Sequence, residues 1–103
     1  MSWASWTTRG VFAGTGGVRS VEAGILSGDL TVHTTWIEGQ ASVAVQYSGS
    51  TDWFTLEGSP VPCASEEESR SFHQMVVEAV RSGAGATVPL ADAHRAAPPA
   101  PAE

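Results

Sequence analysis

The chain has 103 residues, enough for one domain with a single modest hydrophobic core and too few for two. Its formal net charge is -6, and its five basic residues are arginines scattered along the sequence, so it lacks the clustered cations with which nucleic-acid binders displace phosphate counterions. Its single cysteine excludes the intramolecular disulfides of a small secreted scaffold. The composition therefore favours a globular domain that does not bind nucleic acid.

The sequence also carries an expectation about the cellular compartment. The first residues, Met1 to Arg9, lack the basic segment and the long apolar run of a signal peptide. No apolar stretch approaches the ~20 residues of a membrane span. We therefore expect a soluble, cytoplasmic protein that does not act at a membrane.

Residues 5–57 have the pattern of short β-strands separated by glycine-containing turns. The expected strands occupy residues 5–13, 18–27, 30–37, 42–47 and 53–57. Short connections favour antiparallel neighbours, because a parallel pair needs a crossover of about a dozen residues or more. This part of the chain is therefore expected to form an antiparallel β-meander of about five strands.

One amphipathic helix is expected from Ser65 to about Ser82. Ser65 can cap the amide of Glu68 at its start, and Gly83 gives the stop signal. The apolar residues fall on one helical stripe, with the spacing i, i+3, i+4, i+7 and i+8: Phe72, Met75, Val76, Ala79 and Val80. Because a helix of this length is marginal alone in water, the stripe is expected to pack against the sheet.

The predicted fold class is α+β, a meander covered by one C-terminal helix, with a single domain over residues 1–83. Pro60 and Pro62 are expected to keep the connection before the helix out of the sheet. Residues 84–103, which end in an Ala/Pro sequence, are expected to form a flexible tail without fixed structure.

Four tryptophans in so small a domain are the most unusual feature of the composition. The alternation of residues 30–37 assigns Trp36 to the buried face of the sheet. Trp53 and Phe54 are neighbours and must point to opposite faces, and Trp3 and Trp6 cannot share a face within one strand. At least one aromatic side chain is therefore expected to be exposed, which favours a contact patch.

These features predict a small non-catalytic interaction or accessory protein, acting through an aromatic-containing sheet face or through its acidic surface. The expected partner is another protein or a second copy of the chain in a homodimer. The candidate contact residues are Trp36, Trp53, Phe54, Tyr47 and His33.

An alternative from a different class is a small-molecule-binding protein. Its pocket would lie between the curved sheet and the helix, with His33 near the mouth. The expected lining residues are Trp36, Tyr47, Trp53 and Phe72.

No catalytic, metal or cofactor site is predicted. Cys63 precedes the helix start, where a thiolate is favoured, but three glutamates in the first turn oppose that effect, and the residue is interpreted as part of the core. His33, His73 and His94 have no metal-ligand spacing and are expected to be surface or partly buried residues. The Gly14–Gly17 run is followed by a strand pattern instead of a helix, so it is interpreted as a turn and not as a phosphate loop.

Overall fold

The computed structural model describes residues 3–89, which contain seven β-strands and one α-helix. The elements are β1 (Trp3–Phe12), β2 (Val18–Ser20), β3 (Gly24–Leu26), β4 (Asp29–Ile37), β5 (Gln40–Tyr47), β6 (Phe54–Thr55), β7 (Val61–Pro62) and α1 (Glu66–Ser82). Five of the strands form an antiparallel sheet in the order β1-β4-β5-β6, with β7 also paired to β5. The α+β architecture predicted from the sequence is confirmed.

Strict alternation along the two central strands gives the sheet one apolar face. The β4 residues that point to the helix are Leu30, Val32, Thr34 and Trp36, and all four are buried. Opposite them, β5 contributes Ala41, Val43 and Val45, which are at most 2% exposed. Because this face would otherwise leave a continuous apolar surface in water, burying it beneath the helix stabilises the fold.

The helix begins and ends at the predicted residues. The Ser65 hydroxyl accepts a hydrogen bond from the Glu68 amide at 3.1 Å, and Gly83 closes the last turn with a φ of 72°. The buried face is rotated relative to the predicted stripe, since His73 and Val77 are buried while Met75 and Ala79 are only partly so. The rotation follows from the position of α1, which packs against β1 and β4 at one side of the sheet.

Residues 18–27 form a hairpin, so the prediction of one half-buried strand there is wrong. The Ser20 hydroxyl accepts from the Ala23 amide at 3.0 Å and donates to the Gly24 carbonyl at 2.9 Å, which reverses the chain between β2 and β3. Val21 and Ile25 are 61% and 51% exposed. A side-chain turn of this kind competes with an extended strand.

The connection before the helix contains β7, so the expectation that its prolines stay outside the sheet is wrong for Pro62. Val61 pairs with Ala41 and Pro62 with Gln40. Proline is tolerated because β7 pairs with β5 alone among residues 3–89, so no second strand needs an amide hydrogen from Pro62.

The segment after the helix packs against the start of the chain. Ala84 and Ala86 donate backbone hydrogen bonds to the carbonyls of Thr15 and Gly17, at 2.6 and 3.1 Å, and Val88 is only 9% exposed. The packed part of the chain thus reaches past residue 83, where the sequence places the domain boundary. The rest of the predicted tail, including His94, lies outside the described residues. Residues 3–89 include no helix with the length and apolar character needed to cross a membrane.

Candidate interaction surface

Within residues 3–89, the helix covers only one side of the sheet. We call the opposite side the open face. It comprises Trp3, Ser5, Thr7, His33, Thr35, Ile37, Gln40, Ser42, Ala44, Trp53 and Thr55. None of these side chains is a carboxylate, a lysine or an arginine. The charged residues Arg9, Glu22, Asp29 and Glu38 lie around this group.

Apolar side chains stand at two places on the open face. Trp3 and Ile37 are directly opposite each other on β1 and β4, and they are 64% and 45% exposed. Trp53, which is 46% exposed, lies just before β6, towards the opposite edge of the sheet. Between them runs a row of hydroxyls formed by Ser5, Thr35 and Ser42. The face therefore combines large apolar groups with short polar ones.

The ring of His33 fixes part of this surface. Its centroid lies 5.7 Å from that of Trp53, with the two rings tilted by 56°. On its other side, Nδ1 of His33 is 2.7 Å from the Thr7 hydroxyl. The tilted ring pair restricts Trp53, so this tryptophan is presented in a defined orientation.

Glu22, at the tip of the β2–β3 hairpin, ties that hairpin to β6. Its carboxylate accepts hydrogen bonds from the Thr55 amide and the Thr55 hydroxyl, both at 2.7 Å. These bonds lower the pKa of Glu22 below its usual value of 4.5, because they favour the charged form. The edge of the open face next to Trp53 is thereby anchored.

The five predicted contact residues divide between the two sides of the sheet. His33 and Trp53 lie together on the open face. Trp36 is buried, and its indole N–H donates to the Cys63 carbonyl at 2.9 Å. Phe54 packs against the core, and Tyr47 pairs with Leu30 on the helix side, where it is 40% exposed.

The residues of the alternative pocket do not surround one cavity. Trp36 and Phe72 lie between the sheet and the helix, where Phe72 is fully buried. His33 and Trp53 are on the other side of the same sheet, so the backbone separates the two pairs.

Sequence reasoning missed Trp3, Ile37 and the hydroxyl row as members of one surface. The signal was present in the residues 31–37, where the positions alternating with the buried set must point to the open face. What the sequence lacks is the pairing of β1 with β4, because a hairpin intervenes between the two strands.

The polar groups at the helix–sheet interface have structural roles. Cys63 is in the core, 1% exposed, with its sulfur 3.7 Å from the Ser65 carbonyl.

His73 is 3% exposed, so the expectation that every histidine is a surface or partly buried residue is wrong here. Its Nε2 is 2.8 Å from the Thr8 hydroxyl and its Nδ1 is 2.8 Å from the Thr34 hydroxyl, which is how an imidazole is accommodated in the core. Among residues 3–89, no three His, Cys, Asp or Glu side chains are close enough together to hold a metal ion.

The burial of His73 predicts a loss of stability in mild acid. Burial, together with the charge of His33, lowers the pKa of His73 below the usual 6.5. The unfolded chain therefore takes up a proton as the pH falls through 6.5, whereas the folded chain resists it until lower pH. We expect the free energy of unfolding to be highest above this value and to decline below it.

Denaturant unfolding at about pH 8 and about pH 5 measures this decline, which falls in the range where histidine titrates. The matched variant is His73→Asn, which keeps hydrogen-bonding capacity and removes the titration. It should be less stable than the natural chain at the higher pH and should lose less stability on acidification. An equal decline in both proteins contradicts the assignment to His73.

Comparison with protein-family models, with curated proteins and with solved structures gives no significant match for this chain.

Proposed function

We propose that this protein is a small non-catalytic binding module whose open face contacts a partner protein. The observation that carries the proposal is the side of the sheet that no other part of residues 3–89 covers, where exposed tryptophans flank an uncharged row of hydroxyl groups. A domain that buries one face of its sheet beneath a helix and leaves large apolar groups on the other gains by covering them with a second surface.

The side chains of the open face are those that protein interfaces favour. Tryptophan is enriched among the residues that contribute most to binding energy, and charged side chains are depleted at interface centres. Serine, threonine and glutamine add adaptable hydrogen bonding around such anchors, in the manner of antibody binding sites. The partner expected on this basis presents apolar pockets for Trp3 and Trp53 with polar groups between them.

The open face is also built on strands, which limits the entropy cost of binding. Its central residues lie on β1, β4 and β5, whose pairing is continuous from Ser5 to Thr8 and from Leu30 to Ile37. Trp53 is further held by the His33 ring. Fewer side-chain and backbone motions are lost when such a surface binds, so more of the contact energy appears as affinity.

Acidic residues adjoin the open face at two places and add electrostatic selectivity. Glu38 directly follows Ile37, and Asp52 directly precedes Trp53 in the chain. With a net charge of -6, the protein repels acidic partners and attracts basic ones at a distance. This favours a partner with a basic rim around an apolar centre.

The proposal predicts that Trp3→Ala and Trp53→Ala each weaken partner binding by about 5-fold to 30-fold, the range for a truncated anchor at the centre of an interface. The partner is first isolated by affinity capture from native cell extract and identified. Its dissociation constant is then measured by calorimetry with the natural chain and with each variant.

Tyr47→Ala is the matched control, because Tyr47 is an aromatic residue of similar exposure on the helix side. It is expected to leave the dissociation constant unchanged. Chemical shift changes on titration with the partner should fall on the open face. Unchanged affinity in the Trp3→Ala, Trp53→Ala double variant, or an equal loss with Tyr47→Ala, rules the proposal out.

A further inference from the structure

Strand β1 forms an edge of the sheet. Within residues 3–89 its only partner strand is β4, so its outer side is unpaired with any other strand there. Natural sheets usually guard such edges with charges, prolines or bulges. The second half of β1 has two features that hinder pairing with another strand. Its pairing with β4 is interrupted between Thr8 and Val11, and this interruption includes the charged residue Arg9. The first half, Trp3–Thr8, is regular and contains neither a charge nor a proline.

The first turns of the helix lie beside this unguarded half. The indole N–H of Trp6 donates to the Ser69 hydroxyl at 2.9 Å, and the Arg70 guanidinium is 5.4 Å from the centre of the Trp6 ring. An open depression of about 370 Å³ is lined by Trp6, Glu66, Glu67 and Arg70. The strand edge is therefore bordered by two carboxylates and one guanidinium that are close together.

We propose that a second copy of the chain pairs with this edge. Trp3–Thr8 of the two copies would run antiparallel about a two-fold axis perpendicular to the sheet. Such an interface uses the same surface on both copies, which is the commonest arrangement among homodimers. The inference is independent of the partner proposed for the open face, and either can fail without the other.

Charge complementarity supports a second copy as the occupant. The helix runs in the same direction as β1, since Trp6 contacts Ser69 and Thr8 contacts His73. An axis near Trp6 therefore brings the first turns of two antiparallel helices together. Arg70 of each copy then faces the acidic first turn, Glu66 and Glu67, of the other. A surface that carries both signs in this order is complementary to itself.

The C-terminal residues of the same chain fit the edge less well. The last described residues lie near the opposite edge of the sheet, after β6, where the Val88 amide donates to the Glu57 carbonyl at 2.9 Å. The sequence beyond it contains Pro98, Pro99 and Pro101, which have no amide hydrogen to donate to a strand. A second copy offers six residues without proline.

Pairing the two edges has a direct structural consequence. The perpendicular axis keeps both helices on one side of the combined sheet and both open faces on the other. The two open faces then form one continuous surface, with the Trp3 side chains of both copies near its middle.

The first test is the mass of the full chain in solution, followed by sedimentation over a range of concentrations. We expect a dimer whose dissociation constant rises about tenfold in Arg70→Glu and in Glu67→Arg, because each change places like charges across the axis. The double variant Arg70→Glu, Glu67→Arg restores the opposite charges and should recover most of the affinity. Arg81→Glu, the same change at the far end of the helix, is the matched control and should have no effect.

Hydrogen exchange tests the strand pairing in the natural chain. In an edge strand alternate amides are unprotected, whereas in a strand paired on both sides consecutive amides are protected. We expect consecutive protection from Ala4 to Thr8 at concentrations where the dimer forms, and alternate protection on dilution. Trp53→Ala should leave this pattern intact, which separates the inference from the function of the open face.

Three results would overturn the inference. A monomer at every soluble concentration excludes the dimer. Consecutive protection of the edge within a monomer identifies the C-terminal part of the chain as the occupant. A dimer that shows alternate amide protection in β1, and whose dissociation constant is the same in Arg70→Glu and Glu67→Arg, uses another surface.

Discussion

Replacing Phe72 with alanine is expected to lower the free energy of unfolding by about 3–5 kcal/mol, the usual cost of truncating a fully buried phenylalanine. Phe72 is the largest of the fully buried side chains and lies where the helix meets the sheet. A domain of this size has only about 5–15 kcal/mol of total stability, so the variant should be close to unfolding. Denaturant titration followed by tryptophan fluorescence measures the change.

The control for Phe72→Ala is Phe12→Ala, which removes the same atoms from a side chain that is 67% exposed. It should change the free energy of unfolding by less than about 0.5 kcal/mol. If Phe72→Ala does not fold at all, Phe72→Leu gives a milder change of about 1–1.5 kcal/mol. Similar losses at positions 72 and 12 would contradict the packing of the helix on the sheet.

Replacing Gly83 with alanine is expected to destabilise the protein by roughly 2–5 kcal/mol, the sum of about 1–2 for a left-handed backbone and about 1–3 for overpacking. Gly83 has a φ of 72°, and a Cβ there would collide with the backbone of Gly14. The chain cannot move away easily, because the Gly14 amide is bonded to the Val80 carbonyl at 3.0 Å.

Gly24→Ala separates the two causes of this loss. Gly24 has nearly the same φ, 70°, but an added Cβ would meet nothing within 4 Å. It should therefore show only the cost of the left-handed backbone, about 1–2 kcal/mol. The midpoints and slopes of urea unfolding curves compare the two variants. Equal losses of unfolding free energy in the two variants would contradict the close contact between Gly14 and the end of the helix.

Local signals in the sequence were sufficient to predict the helix. Its cap at Ser65 and its stop at Gly83 depend on neighbouring residues, and both are confirmed. The central strands were predicted for the same reason, since alternation in residues 30–37 and 42–47 gives both the strands and their buried side. The same alternation predicts that Trp36 is buried, and Trp36 is 8% exposed.

The incorrect predictions concern features that depend on particular side-chain contacts, some of them between residues far apart in the sequence. His73 is buried because Thr8 and Thr34 provide partners for its two ring nitrogens, and neither lies near it in the chain. The reversal between β2 and β3 depends on one serine side chain, within a segment whose alternation resembles that of a strand. Local periodicity carries no information about such partners.

The candidate surface was predicted only in part. The exposure of Trp53 opposite Phe54 follows from adjacency in a strand, and its contact with His33 depends on the pairing of β5 with β6. Trp3 lies on the same surface because β1 pairs with β4, although the β2–β3 hairpin lies between these two strands in the sequence. A sequence alone does not give this strand order.

The contact between the Gly14–Gly17 turn and the segment following Gly83 bears on how the molecule is made in the cell. The amides of Gly85 and Ala86 bond to the carbonyls of Gly16 and Gly17, and Val88 completes the core. A nascent polypeptide cannot form these contacts until the segment that follows Gly83 has emerged from the ribosome. Cooperative folding therefore requires the segment that follows the helix, and proteolytic fragments that end ahead of the helix should stay unstructured.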